Sequence, residues 1–188
     1  VLNSACLEEH KHLLIFSKEK FYSADFSQSF ENKEKETIFG KIILKKPFFL
    51  KISNTNLNSI ESEIIINEKS IYRIDYDLDQ AVKYKKENII HQIPAAFLLE
   101  DLESICLNSA KIDCFDNSCA IFPKDKTYIS KIDLIFDDTF ITNIKYRDAF
   151  GITSEVVITN FTSQPKLSSS VFSYNLSLIH ISEPTRHR

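Results

Sequence analysis

An apolar–polar alternation of period two recurs along most of this 188-residue chain, and it restricts the fold more than any other feature. In the run from Phe21, residues Tyr22, Ala24 and Phe26 point one way and Phe21, Ser23, Asp25 and Ser27 the other, the pattern of a half-buried strand. The alternation returns in Tyr72-Arg-Ile74-Asp-Tyr76, Ile132-Asp-Leu134-Ile-Phe136 and Thr142-Asn-Ile144-Lys-Tyr146, where Arg73, Asp75, Asp133 and Lys145 are expected to face outward. Further strand-like runs lie at 39–44, 48–53, 61–67, 80–86, 110–115, 120–123, 153–161 and 169–175, separated by short polar joints. Many short strands with regular turn signals read as a mainly β, antiparallel fold. No repeat or break in composition divides the chain, so a single domain is expected over 1–175.

Two segments resist the strand reading. Residues 7–16 mix Glu8 and Glu9 with Leu7, Leu13, Leu14 and Ile15, which suits a short amphipathic helix with acids at its start. Residues 93–102 place Pro94 at a first helical position with good helix formers after it. That second segment is almost wholly apolar and must be buried or cover something. Roughly eleven strands with one apolar face present more surface than two short helices can cover. The sheet must therefore pack on itself as a filled sandwich, or curl into a partial barrel whose hollow is held for a ligand. The pattern alone leaves both open.

Composition narrows the chemistry. Net charge is −3 and the isoelectric point about 6.0, so no nucleic-acid footprint is indicated. No run approaches the ~18 apolar residues of a membrane-spanning helix. Neither HExxH nor CxxC occurs, and His10 and His12 are expected on a solvated helix face, with His91 in a loop. Asp75-Tyr-Asp77-Leu-Asp79 imitates the start of a calcium loop but lacks its glycine, and Lys86 stands where the bidentate acid belongs. With two glycines in all, no phosphate-binding loop can be built. No catalytic residue, metal site or cofactor is expected, and the chain does not read as an enzyme.

The four cysteines carry more information. A two-residue Asp116-Asn117 turn pairs Cys114 with Cys119 at a non-hydrogen-bonded position, where Cα atoms lie ~4.5 Å apart. A cross-strand disulfide in an oxidising compartment, or two reduced thiols on a hairpin, both fit. Cys106 reads as a small buried hydrophobe. Leu2-Asn-Ser-Ala5-Cys6 is open to three readings: a lipobox whose cysteine is acylated, the tail of a cleaved secretory signal, or a helix start. The chain begins at Val1 without a methionine, which suggests upstream processing or truncation. The segment 176–186 looks like translated sequencing adapter, so 176–188 are set aside as a non-native tail.

The order of the motifs resembles the periplasmic outer-membrane lipoprotein carrier family, the LolA type. Phe21-Tyr-Ser-Ala-Asp-Phe26-Ser-Gln28 is similar to its opening strand, and Gly40-Lys-Ile-Ile-Leu-Lys-Lys46-Pro47-Phe-Phe-Leu50-Lys-Ile52 to its basic-Pro and aromatic-rich strand pair. Tyr76-Asp77-Leu78-Asp79-Gln80-Ala81-Val82 is like a compacted form of its Tyr-Asp hairpin, and Pro94 to Leu99 like its Pro-x-x-Leu-Leu helix. Tyr146-Arg-Asp148-Ala-Phe-Gly151 through Phe161 resembles the late hairpin, and Val171-Phe-Ser-Tyr174 the final strand. Where the family usually has Arg before the proline, this chain has Lys46, which lacks the planar fork.

The resemblance implies a curved antiparallel sheet forming an incomplete barrel, with short helices as a lid over an apolar hollow for lipoprotein acyl chains. It implies a monomeric periplasmic carrier between an inner-membrane ABC-type release complex and an outer-membrane lipoprotein receptor. Leu50, Ile52, Leu98 and Leu99 are expected to line or gate the hollow, and Phe26, Ile74, Tyr76, Leu134, Phe136, Ile144 and Tyr146 to contribute lining. Lys46 is expected to hydrogen-bond toward the lid and favour the closed state. A Leu50→Glu change is expected to remove cargo transfer while leaving the fold intact. The alternatives are an outer-membrane-anchored receptor acylated at Cys6 and a structural β-domain with a filled core.

Overall fold

A computed structural model describes residues 6, 10–14, 21–31, 36–57, 59–138, 140–163, 167–175 and 180–181. Eleven strands form one antiparallel sheet: β1 (Phe21–Phe30), β2 (Thr37–Lys45), β3 (Phe49–Asn56), β4 (Ser59–Ile66), β5 (Ser70–Asp75), β6 (Gln80–Lys85), β7 (Ser109–Phe115), β8 (Ser118–Pro123), β9 (Ile129–Phe136), β10 (Ile141–Asp148) and β11 (Thr153–Ser163). Their spatial order is β6-β5-β4-β3-β2-β1-β11-β10-β9-β8-β7. The two halves of the chain are thus successive meanders, joined where β1 pairs with β11. The edge strands β6 and β7 do not pair with each other, so the sheet is not closed. Of the expected tail only His180 and Ile181 fall within the described residues; they lie parallel to Gln80 and Ala81 as a two-residue β12.

Between β6 and β7 the chain makes its helices. Lys86–Ile89 and Ile90–Gln92 are single turns, followed by a 3-10 helix over Pro94–Leu99 and an α-helix over Leu102–Asn108. The single helix expected over 93–102 is therefore two pieces. The break is at Asp101, whose carboxylate accepts from the Ser104 amide at 2.8 Å and caps the second helix. At the N-terminal side, Cys6 and the 3-10 helix Lys11–Leu14 are described, and Leu13 is fully buried; the remainder of the helix expected over 7–16 lies outside the described residues.

Alternation fixes two faces. The inner face, beneath the helices, collects Tyr22, Ala24 and Phe26 from β1, Ile42 and Leu44 from β2, and Leu50 and Ile52 from β3. Ile121, Leu134 and Ile144 from the other meander join the same core, together with Ile93, Leu98, Leu102 and Ile105 of the helical segment. Side chains from both meanders thus meet in one cluster under one short cover, which requires the sheet to curve.

The outer face is apolar as well around β3–β6, and this overturns one expectation. Residues 169–175 are not a strand. Ser169–Phe172 is a 3-10 helix capped by Ser168, and it drives Phe172, 1% exposed, into a second cluster with Ile65, Tyr72, Ile74 and Ala81. Lys45 holds this strap with its ammonium 2.8 Å from Ser169 Oγ. Beside it Glu63, 4% exposed, accepts from Ser53 Oγ and from the Tyr76 hydroxyl, each at 2.7 Å, and pairs with Lys51 Nζ at 2.9 Å. A buried carboxylate needs such partners, because desolvation without them would force it neutral.

Candidate functional site

Beneath the Pro94–Leu99 helix the inner face is incompletely filled. A cavity of about 210 Å³ remains, bounded above by Ile93, Pro94, Ala95 and Leu98 and below by Phe26, Gln28, Ile42, Ile52, Asn54, Ile64, Ile144, Tyr146 and Val156. The floor follows from pairing. Phe26 lies opposite Gly40, Gly40 opposite Asn54 and Asn54 opposite Ser62, so one row of the sheet runs across the cavity. Gly40 is obligatory in that row: a Cβ there would stand 2.6 Å from the Phe26 ring and 2.2 Å from the Ser53 carbonyl oxygen. The missing side chain lets the Phe26 ring lie over the backbone and form a flat part of the floor.

The cover is fastened at two points. Lys46, between β2 and β3, donates from Nζ to the Glu100 carbonyl oxygen at 2.8 Å, directly after the covering helix. Burial lowers the Lys46 amine to about 8, against the opposing pull of Asp101 and Glu100. Glu100 is in turn raised by burial and by the Asp101 charge, while Ser104, Lys46 and His91 draw it down. The second fastening is covalent. Cys6 is bonded to Cys106 in the Leu102–Asn108 helix, tying the N-terminal segment to the helical segment across a sequence separation of 100. This corrects the reading of Cys106 as an unpartnered hydrophobe. Pairing so remote in sequence depends on tertiary docking and has no local signal. Cys114 and Cys119 are also bridged, between opposed residues of β7 and β8.

The expected site residues separate into three groups. Phe26, Ile52, Leu98, Ile144 and Tyr146 line the cavity. Leu50, Leu134 and Phe136 are buried in the surrounding core and Leu99 packs against it, but none of these four is part of the cavity wall. Leu50 is fully buried, so a glutamate there would place a charge in the core and unfold the protein rather than report on the cavity. Ile74 and Tyr76 are on the other face. Ile74 is paired with Glu63 and Arg73 with Ile64, so β5 sends Ile74 outward beneath the Phe172 strap and Arg73 inward, the reverse of the expectation. The Tyr76 hydroxyl is spent on Glu63.

Alternation could have supplied Gln28, the next inward residue of β1 after Phe26, and Ile42 and Ile64 follow from the same parity once the register is known. His10 is corrected too: it is 8% exposed, with a buried Nδ1 that has no hydrogen-bond partner among the described residues, and does not lie on a solvated face. The His12 side chain lies outside the described residues. A larger and more open groove of about 510 Å³ runs along β10 and β11, but Asp137, Thr142, Thr159 and Asn160 make it polar. Among the described residues there is no cluster able to hold a metal ion, and no helix is long and apolar enough to cross a membrane.

Residues 17–175 match the family model described as outer membrane lipoprotein carrier protein LolA. Among solved structures, the chain is similar to an uncharacterized conserved protein from Thermus thermophilus, with a TM-score of 0.59 and 9% identity over 96% of this chain and 99% of that one. It is similar to a LolA superfamily protein from Nitrosomonas europaea, with a TM-score of 0.56 and 13% identity over 93% and 98% of the two chains. A DUF1329 family protein from Desulfovibrio piger gives 0.53 and 10% over 92% and 98%. At these identities the structural likeness shows a shared fold. Comparison with curated proteins gives no significant match.

Proposed function

Because the chain belongs to the LolA family of outer membrane lipoprotein carrier proteins, which are not enzymes, we propose that it is a periplasmic carrier whose cavity receives the acyl chains of lipoproteins. In this reading it takes its cargo from an inner-membrane ABC-type release complex and yields it to an outer-membrane receptor. Each buried methylene is worth ~0.8 kcal/mol, so a long acyl chain exposed to water is penalised by roughly ten kcal/mol. A carrier must remove that penalty and still release its cargo, which favours a cavity under a movable cover over a permanently open groove. Transfer then needs only a difference in affinity between carrier and receptor.

The observation that carries this reading is the unfilled, largely apolar space beneath Pro94–Leu99, covered by a short segment that Lys46 ties to the sheet through the Glu100 carbonyl. A structural domain with a filled core has no use for it. An anchored receptor acylated at Cys6 is disfavoured because that sulfur is already bonded to Cys106. Val156, a partly buried apolar residue of the wall, offers the test. Val156→Phe fills the cavity without burying a charge, and overpacking of this kind costs about 1–3 kcal/mol. The variant is expected to remain folded by circular dichroism and to lose uptake of a fluorescent acyl probe. Undiminished uptake by the folded variant would overturn the assignment.

A further inference from the structure

One row of the sheet leads out of the cavity to a cation. Ile42 lies opposite Ile52, Ile52 opposite Ile64, Ile64 opposite Arg73 and Arg73 opposite Val82, so these residues stand side by side on the inner face. The three isoleucines belong to the cavity floor, and Ile64 is the last lining residue in that direction. Arg73 follows one strand spacing further on, about 4.8 Å, and is exposed. Among the described residues its guanidinium makes no ion pair and no hydrogen bond. Asp75, two residues along β5 and therefore on the same face, is turned elsewhere: its Oδ1 accepts from the Leu78 amide at 2.9 Å. The guanidinium instead lies over the Tyr84 ring, 5.7 Å from the centroid, and Tyr84 is packed against the inner core. An arginine stacked on an aromatic face keeps the N–H groups at its edge free to donate. Core packing does not call for a cation here, since the residues opposite it on either side, Ile64 and Val82, are apolar.

An acyl tail laid along the isoleucine row brings the group at its end against Arg73. A guanidinium presents a planar fork of donors matched to the paired oxygens of a phosphate or carboxylate. A neutral head gains no such charge-assisted bond. We propose that Arg73 is a head-group subsite for an acidic lipid, taking the phosphate or carboxylate of a guest whose tails lie over Ile42, Ile52 and Ile64. The cavity thereby accepts anionic lipids as a second class of guest beside the acyl chains of lipoproteins. The inference rests on the acyl-binding reading above and adds to it a residue and a charge preference.

Binding to the oxidised full chain should be compared for two matched pairs of fluorescent probes at low salt: phosphatidic acid against diacylglycerol, and a fatty acid against its methyl ester. At least one acidic probe is expected to bind about tenfold more tightly than its neutral partner, the low end for hydrogen bonds to a charged group because Arg73 is exposed. Whichever acidic probe gains more identifies the preferred oxyanion, and the gain is expected to shrink in about 0.5 M salt. In Arg73→Gln the acidic probe is expected to fall to the affinity of its neutral partner, which is itself unchanged. Arg147→Gln removes the same charge from an exposed position on the opposite face of the sheet and is expected to keep the preference. Equal affinity of the wild-type protein for the acidic and neutral members of both pairs would overturn the proposal and leave the acyl-binding reading standing. An equal loss of preference in the two arginine variants would also overturn it, by assigning the effect to net charge. Displacement of phosphatidic acid by millimolar inorganic phosphate, with diacylglycerol undisturbed, would overturn it in favour of a site for free phosphate. Failure of the wild-type protein to bind any of the four probes would instead refute the acyl-binding reading itself.

Discussion

Two disulfides of very different span allow the sources of stability in this fold to be separated. Cys6 and Cys106 are 100 residues apart, whereas Cys114 and Cys119 are 5 apart and already opposed by the β7–β8 pairing. Closing a loop removes conformational freedom from the unfolded chain in proportion to the logarithm of loop length. The long bridge is then worth about 4.7 kcal/mol and the short one about 2 kcal/mol. Paired serine variants, Cys6→Ser with Cys106→Ser and Cys114→Ser with Cys119→Ser, are to be compared by urea unfolding at pH 7 using linear extrapolation. The long-bridge variant is expected to lose the larger amount, by about 3 kcal/mol. Its loss also releases the segment bearing His10 and the fully buried Leu13 from the Leu102–Asn108 helix, which adds to the effect. A larger loss at the hairpin, or equal losses, would refute the argument from loop length.

Two further outcomes follow from the charged groups. Lys46 titrates at about 8 beneath the closed cover but near ~10.4 once exposed to water. The open form thus binds its proton more tightly, so opening is independent of pH below about 8 and becomes harder as pH rises from there towards ~10.4. Uptake of an acyl probe is expected to slow across that window, and to lose the dependence in Lys46→Met; faster uptake on raising the pH would contradict the sign. For Glu63, burial raises the carboxyl, but hydrogen bonds from Ser53, Tyr76 and Lys51 and the Lys51 charge outweigh it and hold the carboxyl below its usual range. A depressed folded pKa contributes stability above the unfolded value and loses it as pH falls through the folded one. Glu63→Ala is expected to cost about 3 kcal/mol at pH 7, and the gap in urea midpoint from the parent is expected to narrow in strong acid; parent-like stability at pH 7 would dismiss the cluster as a source of stability.

What the sequence disclosed, and what it withheld, follows from how many faces each strand buries. On β1 only the inner face is well covered, and Tyr22, Ala24 and Phe26 group together in sequence and structure alike because the alternation has one apolar phase. On β5 both phases are apolar: Ile71 enters the inner core while Tyr72 and Ile74 enter the outer one. Alternation there cannot choose a face, and only the Glu63–Ile74 pairing decides. The same ambiguity hid the strap. Val171-Phe-Ser-Tyr has a strand's alternation, yet what it answers is the outer apolar patch, so the segment coils to seat Phe172 against Phe49 instead of pairing along an edge. Asp101 falls inside the expected 93–102 helix, yet its bond to the Ser104 amide makes it the start of the next one.

The cavity is harder still to read, because it is the remainder between a large inner surface and the few side chains offered to fill it. Its volume depends on small local choices: Ala95 in the cover, Gly40 in the floor, and the ring of Phe26 laid flat between them. Such a remainder is stable only if the cover gains as much from Ile93, Leu98, Leu102 and Ile105 at its margins as it forgoes over the empty space. Those four anchors lie within the same helical segment that Lys46 and Cys106 fasten, at two points that both follow the small Ala95 in the chain. A cover anchored in this way can admit a guest without unfolding, since only the contacts around Ala95 need to part while the Cys6–Cys106 disulfide keeps the following helix in place.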